Sequence, residues 1–205
     1  MTEQYKEIKS KIQEMTVNVM QSFVKAITAR DKETGNHSKN VAKLMLVFSN
    51  HLNLSPQETK LAYLSGMVHD IGKIGIPDGI LNKSAKLAQH EFAVIRCHPD
   101  IGADILAGIG EFEEIAHAVR YHHEWYDGNG YAHGLQGLEI PRLSRMLTLC
   151  DSYDAMTTAR CYRKSVTLDK AIEEIEQNRG TQFDPELSKS FITVIRQSPI
   201  TWLRN

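Results

Sequence analysis

Apolar residues recur along this chain at intervals of three and four, the period that places them on one face of a helix, and no stretch alternates as a half-buried strand would. From about Glu3 to Arg30, the residues Ile8, Ile12, Met15 and Val19 keep a four-three spacing for about two heptads. That spacing fits either an amphipathic helix packed on its own domain or a dimerising, signal-transmitting seam. A second helix carries Val41, Leu44, Met45, Phe48 and Leu52. Ser55-Pro56-Gln57-Glu58 spells a capping box with proline at the first helical position, so a helix is expected from there through Leu61, Leu64 and Val68 to His69, ended by Gly72 and Gly75. After a loop from Pro77 to Leu87, a helix through Phe92 and Ile95 should stop at His98-Pro99, because the residue before a proline is pushed out of the helical region. Another begins near Asp100 with Ile101, Ile105 and Leu106 on one face, and Ile115, Ala118, Val119 and His122 mark the next. The segment from Ile140 to Ala159 presents Leu143, Met146, Leu147 and Cys150. Two helices close the chain, one from Thr167 to Asn178 stopped by Gly180, one from the Asp184-Pro185 cap to about Arg196. The expectation is an all-α, compact single-domain helical bundle over residues 31–205 with an extra N-terminal helix over residues 1–30.

Composition narrows the class without changing that picture. A chain of 205 residues, 41% hydrophobic and 24% charged, is ordinary for one globular domain. Its net charge of -1 argues against binding polymeric nucleic acid, although a local basic patch for a small phosphate ligand remains compatible with it. Cys97, Cys150 and Cys161 are odd in number and lack metal-type spacing, which suits reduced, mostly buried thiols in a cytoplasmic protein. No run approaches the length of a membrane span.

The nine histidines change the picture, through their placement. His69-Asp70 follows an apolar helix and is itself followed by glycines that let the backbone turn and approach a bound group. A carboxylate has two oxygens and can bridge two metal ions, so Asp70 is the candidate bridge, with Lys73 three residues on to place an ammonium beside whatever the metals bind. Glu33 and His37, four apart, share a face if the helix includes both. His98 stands at a helix boundary, the adjacent His122 and His123 can reach two neighbouring metals, and Asp127-Gly-Asn-Gly130 demands a tight turn beside them. Asp151 and Asp154 share a face of an apolar helix, where a carboxylate is costly to bury unless paired or metal-bound. Arg160, Arg163 and Lys164 at that helix's exit make either a phosphate-binding rim or a charged surface turn. The collected set, Glu33, His37, His69, Asp70, His98, His122, His123 and Asp151, is all nitrogen and carboxylate. It favours two or three ions of iron, manganese or a related metal over a structural zinc site, and such ions lower the pKa of a bridging water into the range where it attacks phosphorus.

His37, His69-Asp70 and Asp151 resemble the H…HD…D signature of the HD phosphohydrolase superfamily. The fuller set, His69-Asp70-x-x-Gly-Lys73, His98-Pro99, His122-His123-Glu124, Asp127-Gly-x-Gly130-Tyr131 and Gly180-Thr-Gln-Phe-Asp-Pro185, resembles the HD-GYP domain from about Arg30 to Arg196. The resemblance implies an all-α metal-dependent phosphodiesterase that hydrolyses the bacterial second messenger cyclic di-GMP to pGpG and on to GMP. It implies that His37, His69, Asp70, His98, His122 and Asp151 form the binuclear core, and that Glu33 and His123 match the additional ligands of three-metal members. It further implies that Lys73 neighbours the scissile phosphate, and that Asp154, Arg160 and Arg163 contact phosphate or guanine.

The namesake motif departs in reading Gly130-Tyr131-Ala132, where proline would fix a backbone angle that alanine frees, so a looser loop is expected. Most members of that family carry an upstream sensor or receiver, so the resemblance implies either a stand-alone enzyme or an excised output domain whose N-terminal helix is driven by such a domain, and that helix is also a candidate for homodimerisation. Two other readings compete: a phosphodiesterase for another cyclic dinucleotide such as 3′,3′-cyclic GMP-AMP, and a non-catalytic domain that binds cyclic di-GMP and signals by shape.

Overall fold

A computed structural model describes residues 3–30, 34–108, 112–158 and 165–197. Within these, helices follow one another: α1 (Glu3–Arg30), α2 (Thr34–His51), α3 (Pro56–Val68), a 3-10 turn (Ile71–Gly75), α4 (Asp78–Leu81), α5 (Gln89–Ile95), α6 (His98–Ala107), α7 (Glu113–Arg120), α8 (Arg142–Thr157), α9 (Leu168–Gln177) and α10 (Pro185–Gln197). No strand occurs among the described residues, and none of their helices is long and apolar enough to cross a membrane. The all-α expectation holds.

The helix that organises the rest is α3. Its capping box forms as the sequence spells it: the Glu58 amide donates to Ser55 Oγ, and the Glu58 carboxylate accepts from the Ser55 amide at 2.8 Å. From Thr59 onward Leu61, Ala62, Leu64, Ser65, Gly66, Met67 and Val68 are all buried, so the helix is enclosed on every side. Gly66 makes that enclosure geometric, since a Cβ there would lie 2.7 Å from the Ala42 Cα of α2.

Two packed cores meet across the α2–α3 contact. Val41, Leu44, Met45 and Phe48 of α2 pack with Met146, Leu147 and Cys150 of α8 and with α9 and α10, where Phe48 meets Phe191 edge-on at 5.1 Å. Leu64, Met67 and Val68 of α3 pack with Met20, Val24 and Ile27 of α1, with Leu106 of α6 and with Val119 of α7. Each fully buried side chain of this size contributes about 1.5–3 kcal/mol, which fixes α2, α3, α6, α7 and α8 relative to one another before any ligand is present.

The N-terminal helix packs on its own domain through Met20, Val24 and Ile27, while Ile8, Ile12 and Met15 of the four-three series lie 52%, 49% and 67% exposed. Arg30, at its last turn, bonds the Ile76 carbonyl at 2.8 Å and the Asp78 carboxylate at 2.6 Å, and also reaches the Ile74 carbonyl. The end of α1 is thereby tied to the turn that follows Asp70. Cys150 is buried as expected, Cys97 is exposed, and Cys161 lies outside the described residues.

Candidate metal centre

Three of the candidate histidines stand just beyond the last turn of a helix and close it. The His69, His98 and His122 Nδ1 atoms lie 2.9, 2.8 and 2.6 Å from the carbonyls of Gly66, Ile95 and Val119, in each case three residues back. A carbonyl only accepts, so each Nδ1 carries the proton and caps an otherwise orphaned helix carbonyl of α3, α5 or α7. Each Nε2 then holds the lone pair. All three Nε2 atoms are buried without a hydrogen-bond partner. Buried unpartnered acceptors are costly, and metal ions would satisfy them, with the Nδ1 bonds fixing tautomer and ring plane.

His98 also adjusts the expected helix boundaries. It opens α6, with Pro99 at the first turn, while capping α5 through its ring. The turn Ile71–Gly75 packs against it so closely that a Cβ on Gly72 would collide with the His98 carbonyl oxygen.

Asp70 lies between two groups of donors. Its Oδ1 is 3.4 Å from His98 Nε2 and its Oδ2 is 3.5 Å from His69 Nε2. His37, His69 and Asp70 present ligand atoms within 4.8 Å of one another, and so do His98, His122 and His123. One carboxylate with an oxygen toward each side is the geometry of a bridge between two ions. Lys73 Nζ donates to Asp70 Oδ2 at 2.7 Å, so the ammonium stands at the cluster as anticipated. Burial alone raises the Asp70 pKa, but the Lys73 ammonium beside it draws it well below the usual carboxylate range.

Burial first, and then the Lys73 ammonium at His98 and neighbouring imidazoles at His122 and His123, hold these three below the ordinary histidine value, His123 at about 3. These rings are neutral near pH 7, so no proton competes with a metal for their lone pairs. His37 differs. Its Nε2 lies 3.0 Å from Asp151 Oδ1 and its Nδ1 2.6 Å from Asp154 Oδ2. Burial lowers its pKa, but the hydrogen bonds to Asp151 and Asp154 outweigh that and raise it to about 9. It is an imidazolium held between two carboxylates, and a metal ion bound there would take the place of its Nε2 proton.

Asp154 requires a correction. It was expected to touch the ligand, yet it is fully buried behind His37, where its oxygens also accept from Asn40 Nδ2 at 2.9 Å and Thr158 Oγ1 at 3.0 Å. Asp151 and Asp154 face the same way, as their spacing predicts, and grip the two nitrogens of one ring. Asp154 therefore orients the His37 ring. Replacing Asp154 by alanine is expected to weaken metal binding about 10- to 100-fold, measured by chelator competition, while the Asp154→Asn form, which still offers an oxygen to the Nδ1 proton, loses less.

Glu33, Arg160 and Arg163, together with Lys164, lie outside the described residues. Contacts that the sequence reading did not anticipate surround the cluster instead. Thr148 Oγ1 donates to the His122 carbonyl at 2.7 Å. Glu124 is buried, its Oε1 accepting from the His133 amide at 2.6 Å and the Gly134 amide at 3.2 Å. Tyr131 stacks on His123, ring centroids 4.7 Å apart at 23°, and its amide donates to the His123 carbonyl at 3.0 Å. Gly130 is required here because a Cβ would enter the backbone of residues 123–125. The Asp127 and Tyr126 amides donate to the Thr181 and Gln182 carbonyls, so the loop expected to be loosened at Ala132 is tied to the Gly180–Pro185 segment. Arg145 pairs with Asp184, which caps α10 through the Glu186 and Leu187 amides. The Gly180–Pro185 motif is thus a brace for the loop.

The chain is similar to known proteins. A cyclic di-GMP phosphodiesterase of Vibrio cholerae is 39% identical over 181 residues, 81% of this chain and 37% of its own length. One of Pseudomonas aeruginosa is 37% identical over 184 residues, 89% of this chain and 44% of its own length, and a V. cholerae 3'3'-cGAMP-specific phosphodiesterase is 33% identical over 168 residues, 82% and 36%. The chain thus spans less than half the length of these relatives. Among solved structures, a V. cholerae cyclic GMP-AMP specific phosphodiesterase superposes with TM-score 0.69 at 17% identity, over 91% of this chain and 50% of that one. The HD domain of the L. monocytogenes phosphodiesterase PgpH in complex with cyclic-di-AMP does so with TM-score 0.67 at 19%, over 88% and 96%. At those identities the likeness is one of fold. The HD domain family model matches residues 21–187, a stretch holding every histidine and aspartate of the cluster, and the chain belongs to that family.

Proposed function

We propose that this chain is a metal-dependent phosphodiesterase that hydrolyses cyclic di-GMP to pGpG, and pGpG to GMP. The observation that carries the reading is the set of three buried, partnerless Nε2 atoms, two of which, on His69 and His98, face different oxygens of the one Asp70 carboxylate. His37, His69, Asp70, His98, His122, His123 and Asp151, with Glu33 as a further ligand, would hold two or three divalent ions, iron or manganese by the all-nitrogen-and-oxygen donor set. Such ions supply a water of lowered pKa and neutralise charge on phosphoryl oxygens. The residues do the rest. Asp70 links the two halves of the site, Lys73 sets an ammonium beside the phosphate, and Arg160 and Arg163 bind the ligand's phosphates or guanine. Water adds to phosphorus, the P–O3′ bond breaks, and the released 3′ oxygen takes a proton.

The relatives named as cyclic di-GMP phosphodiesterases, at 33–39% identity, support this substrate. Relatives named as specific for 3'3'-cGAMP support the second reading, a neighbouring cyclic dinucleotide. The exposed Ile8, Ile12 and Met15 stripe supports pairing of α1 with a second copy or with an upstream sensor or receiver, and the free thiols of Cys97 and Cys150 fit the cytoplasm.

The deciding experiment is a chromatographic time course on anaerobically purified protein reconstituted with Fe(II) or Mn(II). Formation of pGpG and GMP from cyclic di-GMP, abolished by chelation and restored by metal, is the expected outcome. A protein that contains its metals and binds the dinucleotide yet forms no product would be a binding domain, and a clear preference for 3′,3′-cyclic GMP-AMP would select the second reading.

A further inference from the structure

A second arrangement runs outward from the metal cluster. Tyr131 stacks on His123, and the Arg96 guanidinium lies 4.9 Å from the Tyr131 ring centroid and 4.7 Å from that of Phe92. His123, Tyr131, Arg96 and Phe92 form a continuous run from a candidate ligand to a phenyl ring that is 43% exposed. Arg30, Arg120 and Arg145 each pair with a carboxylate, but among the described residues none accepts a hydrogen bond from Arg96. Stacking engages the flat faces of a guanidinium and leaves its in-plane N–H groups available. Two rings therefore flank a donor fork outward of His123, with no acceptor on it among the described residues.

We propose that Arg96 reads a guanine base of the dinucleotide whose phosphate occupies the metal cluster, which makes it the residue that discriminates guanine from adenine. This rests on the proposed function. Guanine presents two adjacent acceptors, O6 and N7, that match an arginine fork, whereas adenine replaces O6 with an amino donor that faces the fork donor to donor. A phosphate also suits a guanidinium, but Lys73 already sets an ammonium beside Asp70, where the scissile phosphate would lie. Arg96 stands two ring-stacking steps further out, about the reach from a phosphate across ribose to its base. The relatives point the same way: proteins of one fold carry names or ligands of cyclic di-GMP, 3'3'-cGAMP and cyclic-di-AMP, which differ only in their bases. A metal cluster cannot tell these apart, so side chains outside it must.

The test compares the metal-reconstituted full chain with its Arg96→Met and Arg96→Gln forms on cyclic di-GMP and cyclic di-AMP. The position is exposed, so folding is not at stake. Wild type is expected to favour cyclic di-GMP in kcat/KM. Arg96→Met should lose about tenfold or more of that preference while its rate on cyclic di-AMP stays unchanged, and Arg96→Gln, whose amide pairs with adenine N6 and N7, should move it toward cyclic di-AMP. Equal loss on both substrates would overturn the proposal by assigning the fork to phosphate, as would an unchanged ratio or a wild type without preference. A wild type that hydrolyses cyclic di-GMP while the ratio survives in Arg96→Met sinks this inference alone, and one that hydrolyses neither sinks the proposed function with it.

Discussion

Asp70→Ala is expected to remove hydrolysis and metal loading together. One oxygen of Asp70 faces His98 Nε2 at 3.4 Å, and the other faces His69 Nε2 at 3.5 Å while accepting from Lys73 at 2.7 Å. Without the carboxylate the two groups of nitrogen donors have no shared ligand, and the lysine loses the partner that holds it at the site. The loss in kcat should exceed the roughly thousandfold cost of removing a single transition-state donor elsewhere, because charge neutralisation and nucleophile formation both depend on the ions. Elemental analysis should show metal per chain falling well below that of wild type. The helical fold should survive, since Asp70 belongs to neither hydrophobic core. Full metal content with undiminished turnover in this variant would remove Asp70 as the bridge.

Much of this site was legible because its parts are local. The capping box at Ser55 and Glu58 announces α3, and a histidine just past a helix end, with an aspartate or a proline beside it, announces a ring that can cap the helix and point outward. What could not be read was which surface faces which. Asp151 and Asp154 share a face by spacing, but only the packing of α8 on α2 shows that they clasp the two nitrogens of His37. In α1 two apolar stripes follow one another at the same four-three spacing, Ile8-Ile12-Met15-Val19 and then Met20-Val24-Ile27, and periodicity alone does not say which one the domain covers. The domain covers the second, because that is the part of the helix lying along α3. Glu124 stood in plain view within a quoted motif, yet its contact is with amides nine and ten residues on, a distance set by the fold of the loop.

Gly72→Ala is the change at which fold and site fail together. The added Cβ would collide with the carbonyl oxygen of His98 and lie 2.5 Å from the Gly102 nitrogen and 2.9 Å from the His98 carbonyl carbon. These are backbone atoms, so no rotamer relieves the clash, and the 3-10 turn must move away from the start of α6. Overpacking of this kind costs about 2 kcal/mol, which for a domain of this size lowers the unfolding midpoint by roughly 4–8 °C. The same movement carries Asp70 and Lys73 away from His98, and a displacement of about 1 Å at a reacting centre costs on the order of a hundredfold in rate. Gly79→Ala is the matched control, because nothing lies within 4 Å of a Cβ there and the residue sits in α4, where alanine is the better helix former. Thermal unfolding of the metal-free forms separates the stability loss from the metal-dependent one. If Gly72→Ala kept both the wild-type midpoint and the wild-type rate, the turn and α6 would not be locked together, and the spacing of Asp70 from His98 would have to be set by the metals themselves.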